Sequence, residues 1–69
     1  MDFYARTSGS NEFFARRALY NASAKLRRGD TFRARKYFDL ALTCQRAGGV
    51  SSATANRISE MKNSLEARL

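Results

Sequence analysis

The 69-residue sequence has no histidine, tryptophan or proline and only one cysteine. Without histidine, and with a single cysteine, the chain cannot build a zinc site from the usual cysteine and histidine ligands. No side chain has an ordinary pKa near 7, which argues against general acid–base catalysis, and a serine or threonine nucleophile would lack a histidine base. The composition therefore predicts a protein that is not an enzyme, with no catalytic residue, metal or cofactor.

The scarcity of cysteine and of long apolar runs bears on location. One cysteine cannot form an intrachain disulfide, so Cys44 is expected to be a free, buried thiol in a reducing compartment. No apolar run approaches the roughly 18–20 residues that cross a bilayer, and no signal-peptide segment is present. We therefore expect a cytoplasmic protein that does not act at a membrane.

Positive charge, in contrast, is abundant. Thirteen lysine and arginine residues stand against six aspartate and glutamate residues, which gives a net charge of +7. Ten of the thirteen are arginine, whose planar guanidinium favours two-point contacts to phosphate or carboxylate. Hydrophobic residues make up 43% of the chain, enough for one small folded domain. Such a domain is expected to meet an anionic partner.

Apolar spacing predicts an all-α fold, an antiparallel three-helix bundle with a short N-terminal arm. The arm covers residues 1–10 and ends at Ser10, the expected N-cap of the first helix, and a single domain covers residues 11–69. Short connections between amphipathic helices favour antiparallel packing, in which the second helix contacts both neighbours. The helices are predicted over residues 11–28, 31–46 and 52–68.

Turn and cap residues separate the predicted helices. Gly29 is expected to end the first helix, because glycine tolerates a positive φ, and Asp30 or Thr31 is expected to cap the second. Ser51 or Ser52 is the expected cap of the third helix. That helix is predicted to pack on one side only, through the narrow apolar stripe Ile58, Met61, Leu65 and Leu69.

The segment around the first turn resembles the middle of a tetratricopeptide repeat. In that family a Gly-Asp turn precedes a small residue, then an aromatic residue four positions later and an alanine three positions after that. The matching residues here are Gly29-Asp30, Ala34, Phe38 and Ala41. The three-helix layout is also similar to MIT domains, which bind partner helices in interhelical grooves. The size, basicity and Met1 start resemble short accessory proteins of temperate phages. These resemblances imply a helical hairpin with an interaction or regulatory role.

An aromatic and arginine-rich face lies on the first predicted helix. Phe13 and Tyr20 are seven residues apart and project at nearly the same angle, with Arg16 and Arg17 on the same side. Because aromatic and arginine side chains dominate protein interfaces, these four are the predicted partner-binding residues. The partner would be a protein, with an acidic surface, or a second copy of the chain. Two alternatives are open: the aromatic rings could stack on bases, or the N-terminal arm could cover the face.

A cluster of positive charge surrounds the first predicted turn. Between Lys25 and Lys36 six residues are positive and one, Asp30, is negative. The cluster indicates a tip that binds nucleic-acid phosphate, and base reading by the second helix is a narrower form of that hypothesis. The alternative is a solvated hairpin whose cations suit the helix dipole. The predicted nucleic-acid-binding residues are Lys25, Arg27, Arg28, Arg33, Arg35 and Lys36.

Overall fold

A computed structural model describes residues 8–67 of the chain as three α-helices, without a strand in that range. α1 spans Ser8–Arg27, α2 spans Thr31–Ala47 and α3 spans Ser52–Ala67. The helices pack together in a three-helix bundle, which confirms the predicted all-α fold class. None of the three helices combines the length and the apolar character needed to cross a bilayer.

α1 begins earlier than predicted. It starts at Ser8 instead of Asn11, so Ser10 lies inside the helix and its prediction as the N-cap was wrong. The Ser-Gly-Ser stretch is a poor helix former, but the next two residues, Asn11 and Glu12, are hydrogen-bonded to the connection between α2 and α3. Tertiary contacts therefore hold this end of α1 where local propensity does not. The rest of the predicted arm lies outside the described residues.

The connection between α1 and α2 is only three residues long. Gly29, at φ 81°, donates its N–H to the Leu26 carbonyl, and the Asp30 N–H reaches back to the Lys25 carbonyl. This pair of bonds is a Schellman motif, which satisfies the last carbonyls of α1. Asp30 then caps α2, because its carboxylate accepts the Arg33 N–H at 3.1 Å. The predicted helix end and the Asp30 cap are confirmed.

The closest pairing in the bundle is between α1 and α2. Four alanines on these helices are fully buried, which lets the two backbones approach closely; they are Ala15, Ala22, Ala34 and Ala41. Phe38 and the larger apolar residues of α1, Leu19 and Leu26, fill the space beside them. Cys44 is also buried, as predicted.

α3 packs against both other helices, through one narrow side. Ile58, Met61 and Leu65 are buried in the shared core, as the apolar stripe predicted, and Leu69 lies outside the described residues. Thr54, one turn before Ile58, is buried as well. α2 contacts both neighbours as expected, but α1 does too, so α3 rests in the angle between them.

Candidate interaction surfaces

The predicted aromatic and arginine-rich residues of α1 form one exposed face. Phe13 is 69% exposed and Tyr20 is 71% exposed, although both are large and apolar. Together with Arg16, Arg17 and Asn21 they line a shallow depression on the outside of the helix. We call Phe13, Arg16, Arg17 and Tyr20 the α1 face.

Positive charge predominates on the α1 face. Arg16 is paired with Glu12, its Nε lying 3.3 Å from the carboxylate oxygen, one turn back along the helix. Arg17 is exposed and has no ion-pair partner among residues 8–67. The face therefore combines two solvated rings with one guanidinium that is free to meet a carboxylate.

A groove between α1 and α3 continues from the α1 face. It has a volume of about 380 Å³, and Arg16 and Tyr20 belong to its wall as well as to the face. Buried Leu19 and Met61 contribute apolar surface to the groove. Its charged lining is Arg16, Arg27, Arg57 and Glu60. The sequence did not predict a role for Arg57, because its place beside α1 depends on how α3 docks.

The six cations predicted to bind nucleic acid do not converge on one face. Arg27 lines the groove between α1 and α3, whereas Arg35 lines a smaller one between α2 and α3, with Lys62 and Glu66. Lys25 is half-buried, and Arg28 is exposed in the turn. The cations therefore surround the end of the hairpin, and an anion would meet a different subset from each direction.

Two of these cations already have partners within the hairpin. Arg33 Nε lies 3.7 Å from the Asp30 carboxylate, the same group that caps α2. Lys36 Nζ lies 4.7 Å from the ring centre of Phe32, which precedes it by one turn of α2, and the two form a cation–π contact. Within the described residues, Arg27, Arg28 and Arg35 have no ion pair.

Phe32 was not among the predicted site residues, although its side chain is 70% exposed. Its angular position on the predicted helix is the sequence feature that could have identified it as exposed. Ala34, Phe38 and Ala41 mark the buried side of α2, and at 100° per residue Phe32 falls on the opposite side.

A cluster of polar side chains connects the start of α1 to the start of α3. The sequence predicted its Ser51 cap, which is confirmed, but not the contacts from Asn11 and Glu12. The Glu12 carboxylate accepts the Ser51 N–H and the Thr54 hydroxyl, both at 2.6 Å. Ser51 in turn caps α3, since its hydroxyl oxygen accepts the Thr54 N–H at 3.2 Å. Asn11 is buried and donates its side-chain amide to the Gly48 carbonyl at 3.0 Å. We call these four side chains and Gly48 the polar joint.

Two side chains in the described part of the chain, those of Glu12 and Cys44, have shifted pKa values. The hydrogen bonds from the Thr54 hydroxyl and the Ser51 N–H lower the pKa of Glu12 below its ordinary value. Burial raises the pKa of the Cys44 thiol, which makes that sulfur a poorer nucleophile near neutral pH. In the described part of the chain, no three potential metal ligands lie close enough together to hold an ion.

Comparisons with protein-family models, with curated proteins and with solved structures find no match to this chain. The tetratricopeptide, MIT and phage resemblances therefore stay predictions that rest on the residues quoted for them. Two exposed surfaces of the molecule are available to a partner, the α1 face and the basic end of the hairpin.

Proposed function

We propose that this chain is a non-enzymatic interaction module that binds an acidic protein partner through the α1 face. The observation that carries the proposal is the double exposure of Phe13 and Tyr20 beside Arg17 on one helix. Aromatic and arginine side chains form the centres of most protein interfaces, where they are buried by the partner. Exposed aromatic patches on a small domain usually mark such a contact.

Charge favours an acidic partner over a second copy of the chain. In a symmetric dimer the same patch appears on both sides, so Arg17 of each copy would enter the same interface. Glu12 is already engaged by Arg16 and by the polar joint, which leaves no carboxylate of the face to compensate. Like charges placed together in an interface oppose binding, whereas a partner carboxylate would pair with Arg17.

The double variant Phe13→Ala, Tyr20→Ala tests the α1 face. Hot-spot truncations each lower affinity by about thirtyfold or more, so we expect partner binding to be lost. The measurement is affinity purification from a lysate of the source cells with immobilised full-length chain, followed by mass spectrometry. Light scattering of the same proteins measures self-association.

Phe32→Ala is the matched control, because Phe32 is as exposed as Phe13 but lies on α2. Both variants should keep the helical circular dichroism of the parent chain. The proposal requires proteins that the parent and the control retain and the double variant loses. Equal retention by all three chains would contradict it, as would a stable dimer of the parent chain that the double variant abolishes, because the α1 face would then bind a second copy.

The basic end of the hairpin supports a second candidate function, an accessory protein that binds nucleic acid. Arg27, Arg28 and Arg35 are exposed there without an ion-pair partner in the described part of the chain. Free guanidinium groups around one end of a basic domain are suited to phosphate contacts. Arg28 and Arg35 lie outside the α1 face, whereas Arg27 lines the groove that continues from it, so the two functions use largely different parts of the molecule.

Salt dependence tests the second candidate. Binding of fluorescent DNA or RNA should weaken steeply as salt rises from about 50 to 200 mM, because each phosphate contact releases counterions. Replacing Arg28 by glutamine should make the slope of log affinity against log salt shallower by about 0.7–0.9. Glutamine at Arg46, at the far end of α2, is the control. Absence of binding even at about 50 mM salt would exclude this function.

A further inference from the structure

We infer that the tip of the α1–α2 hairpin binds single-stranded nucleic acid, with Phe32 as the platform on which a base stacks. The tip is defined as Arg28, Phe32, Arg33 and Lys36. The inference rests on the second candidate function above and deepens it, because it names the class of nucleic acid and the residue that contacts the base.

The position of Phe32 is the first observation. Its ring is 70% exposed and lies on the side of α2 opposite the buried Ala34 and Phe38, so the ring contributes nothing to the core. A phenylalanine has no polar atom that would favour solvent. Its placement here leaves an aromatic surface available to a ligand.

The cations around the ring are the second observation. Lys36 Nζ lies 4.7 Å from the centre of the Phe32 ring, and Arg28 is exposed three residues before α2 begins. Asp30 is the acidic residue of this turn, and Arg33 pairs with it. Lys36 therefore lies against the aromatic surface, Arg28 is exposed four residues before Phe32 in the chain, and neither cation has an ion pair in the described part of the chain.

An exposed aromatic ring beside a lysine, next to a basic turn, matches the chemistry of an unpaired nucleotide. A base offers a flat π surface to the ring, and the phosphates on either side offer charge to arginine and lysine. In a duplex the same base surfaces are already stacked on their neighbours, so the ring has nothing to meet. The exposed ring and the positive charge together favour a single strand over a duplex. They also favour it over a polyanion that has no bases.

The chain has no tryptophan, which makes Phe32→Trp a clean reporter of stacking. An introduced tryptophan at 32 is the sole indole in the protein, and a base that stacks on it quenches its fluorescence. The probes are thymidine and uridine oligomers of about twelve nucleotides, a duplex of equal length, and an abasic deoxyribose-phosphate chain. We expect quenching by both single strands and none by the duplex or the abasic chain.

Phe13→Trp is the matched reporter, since Phe13 is 69% exposed and lies among arginines on α1. Quenching at position 32 but not at position 13 supports the inference. Quenching at position 13 alone would place the stacked base on the α1 face and overturn it. Equal quenching at both positions would indicate unspecific collision, which overturns it as well.

Phe32→Ala in the parent chain completes the test. Loss of one stacked base should weaken binding of the thymidine oligomer by between about fivefold and a hundredfold, with the salt slope unchanged because no charge is removed. The variant should remain folded by circular dichroism. If nucleic acid binds with normal salt dependence but Phe32→Ala binds equally well, the phosphate surface stands and the stacking inference fails. If no nucleic acid binds at all, both fail.

Discussion

The α1–α2 hairpin and α3 are held in the bundle by different kinds of contact. The hairpin combines a three-residue turn with a seam of fully buried alanines, so its packing is close, apolar and continuous. α3 adds three apolar side chains to the core and is otherwise positioned by hydrogen bonds, above all those of Glu12. The hairpin therefore depends on volume and shape, whereas the position of α3 also depends on a charge.

The largest effect is expected in the hairpin core. Phe38→Ala removes a buried ring from the centre of α2 and leaves a cavity, which costs about 3–5 kcal/mol. A domain of this size has little stability in reserve, so we expect the whole chain to unfold. Thermal unfolding followed by circular dichroism measures this.

Phe32→Ala removes the same atoms from an exposed site on the same helix, and its cost should stay near 1 kcal/mol or below. A similar loss of stability in Phe38→Ala and Phe32→Ala would mean that the apolar packing between α1 and α2 does not dominate the stability of the bundle.

Replacing the glycine should have different effects on stability in the two turns, at Gly29 between α1 and α2 and at Gly48 between α2 and α3. Gly48 has φ 90° and ψ 170°, a backbone region open almost only to glycine, so Gly48→Ala is expected to cost about 1–3 kcal/mol. Gly29, with φ 81°, ends α1 in a Schellman motif. An added Cβ meets no atom within 4 Å at either site, so the strain lies in the backbone.

Asparagine distinguishes the two turns. Helix ends tolerate asparagine with positive φ, so Gly29→Asn should lose less stability than Gly29→Ala, and Gly48→Asn should gain nothing over Gly48→Ala. Urea unfolding of the four variants gives the comparison. Rescue by asparagine at Gly48 would show that both turns have the same backbone requirement.

The smallest effect is expected from pH, and it should be confined to α3. The pKa of Glu12 is lowered in the folded chain from an ordinary 4.5, by the Thr54 hydroxyl first and then by the Ser51 N–H. The unfolded chain therefore takes up the proton more readily. The stabilisation is complete above pH 4.5 and is lost as the pH falls through the lowered pKa.

Hydrogen exchange of α3 amides, followed from about pH 6 downwards and corrected for intrinsic rates, tests this dependence. Amides of the hairpin serve as the internal reference. Glu12→Gln and Thr54→Val should both weaken the dependence, since one removes the charge and the other the principal donor. If acid opens α3 to the same extent in the parent chain and in Glu12→Gln, the pH dependence comes from other carboxylates.

Much of the fold was predictable because it follows from local patterns. The Gly29-Asp30 turn, the start of α2 at Thr31 and the apolar stripe of α3 are all encoded by neighbouring residues. The start of α1 was mispredicted because its determinants are distant: Asn11 and Glu12 bond to groups 37 and 39 residues away. Periodicity and capping patterns depend only on neighbouring residues, so they do not predict contacts between residues that are far apart in the sequence.

The candidate surfaces also differ in how far the sequence predicts them, depending on whether they lie on one helix or between two. The α1 face could be predicted, since Phe13 and Tyr20 share an angle on one helix and both are exposed. The groove that adds Arg57 could not, because it exists only where α3 meets α1. The basic end was predicted as one cluster, yet packing distributes Arg27 and Arg35 to different grooves.

The cap of α3 has a consequence for how this helix forms. α3 has no acidic residue in its first turn and no basic residue in its last, and the carboxylate at its N-terminus comes from α1. Short helices in proteins gain most of their stability from tertiary packing, and apart from the Ser51 cap the local signals of α3 are few. We therefore expect α3 to lose its helical structure when it leaves the bundle, so that a ligand binding the groove beside Arg57 would stabilise the helix as well as its position.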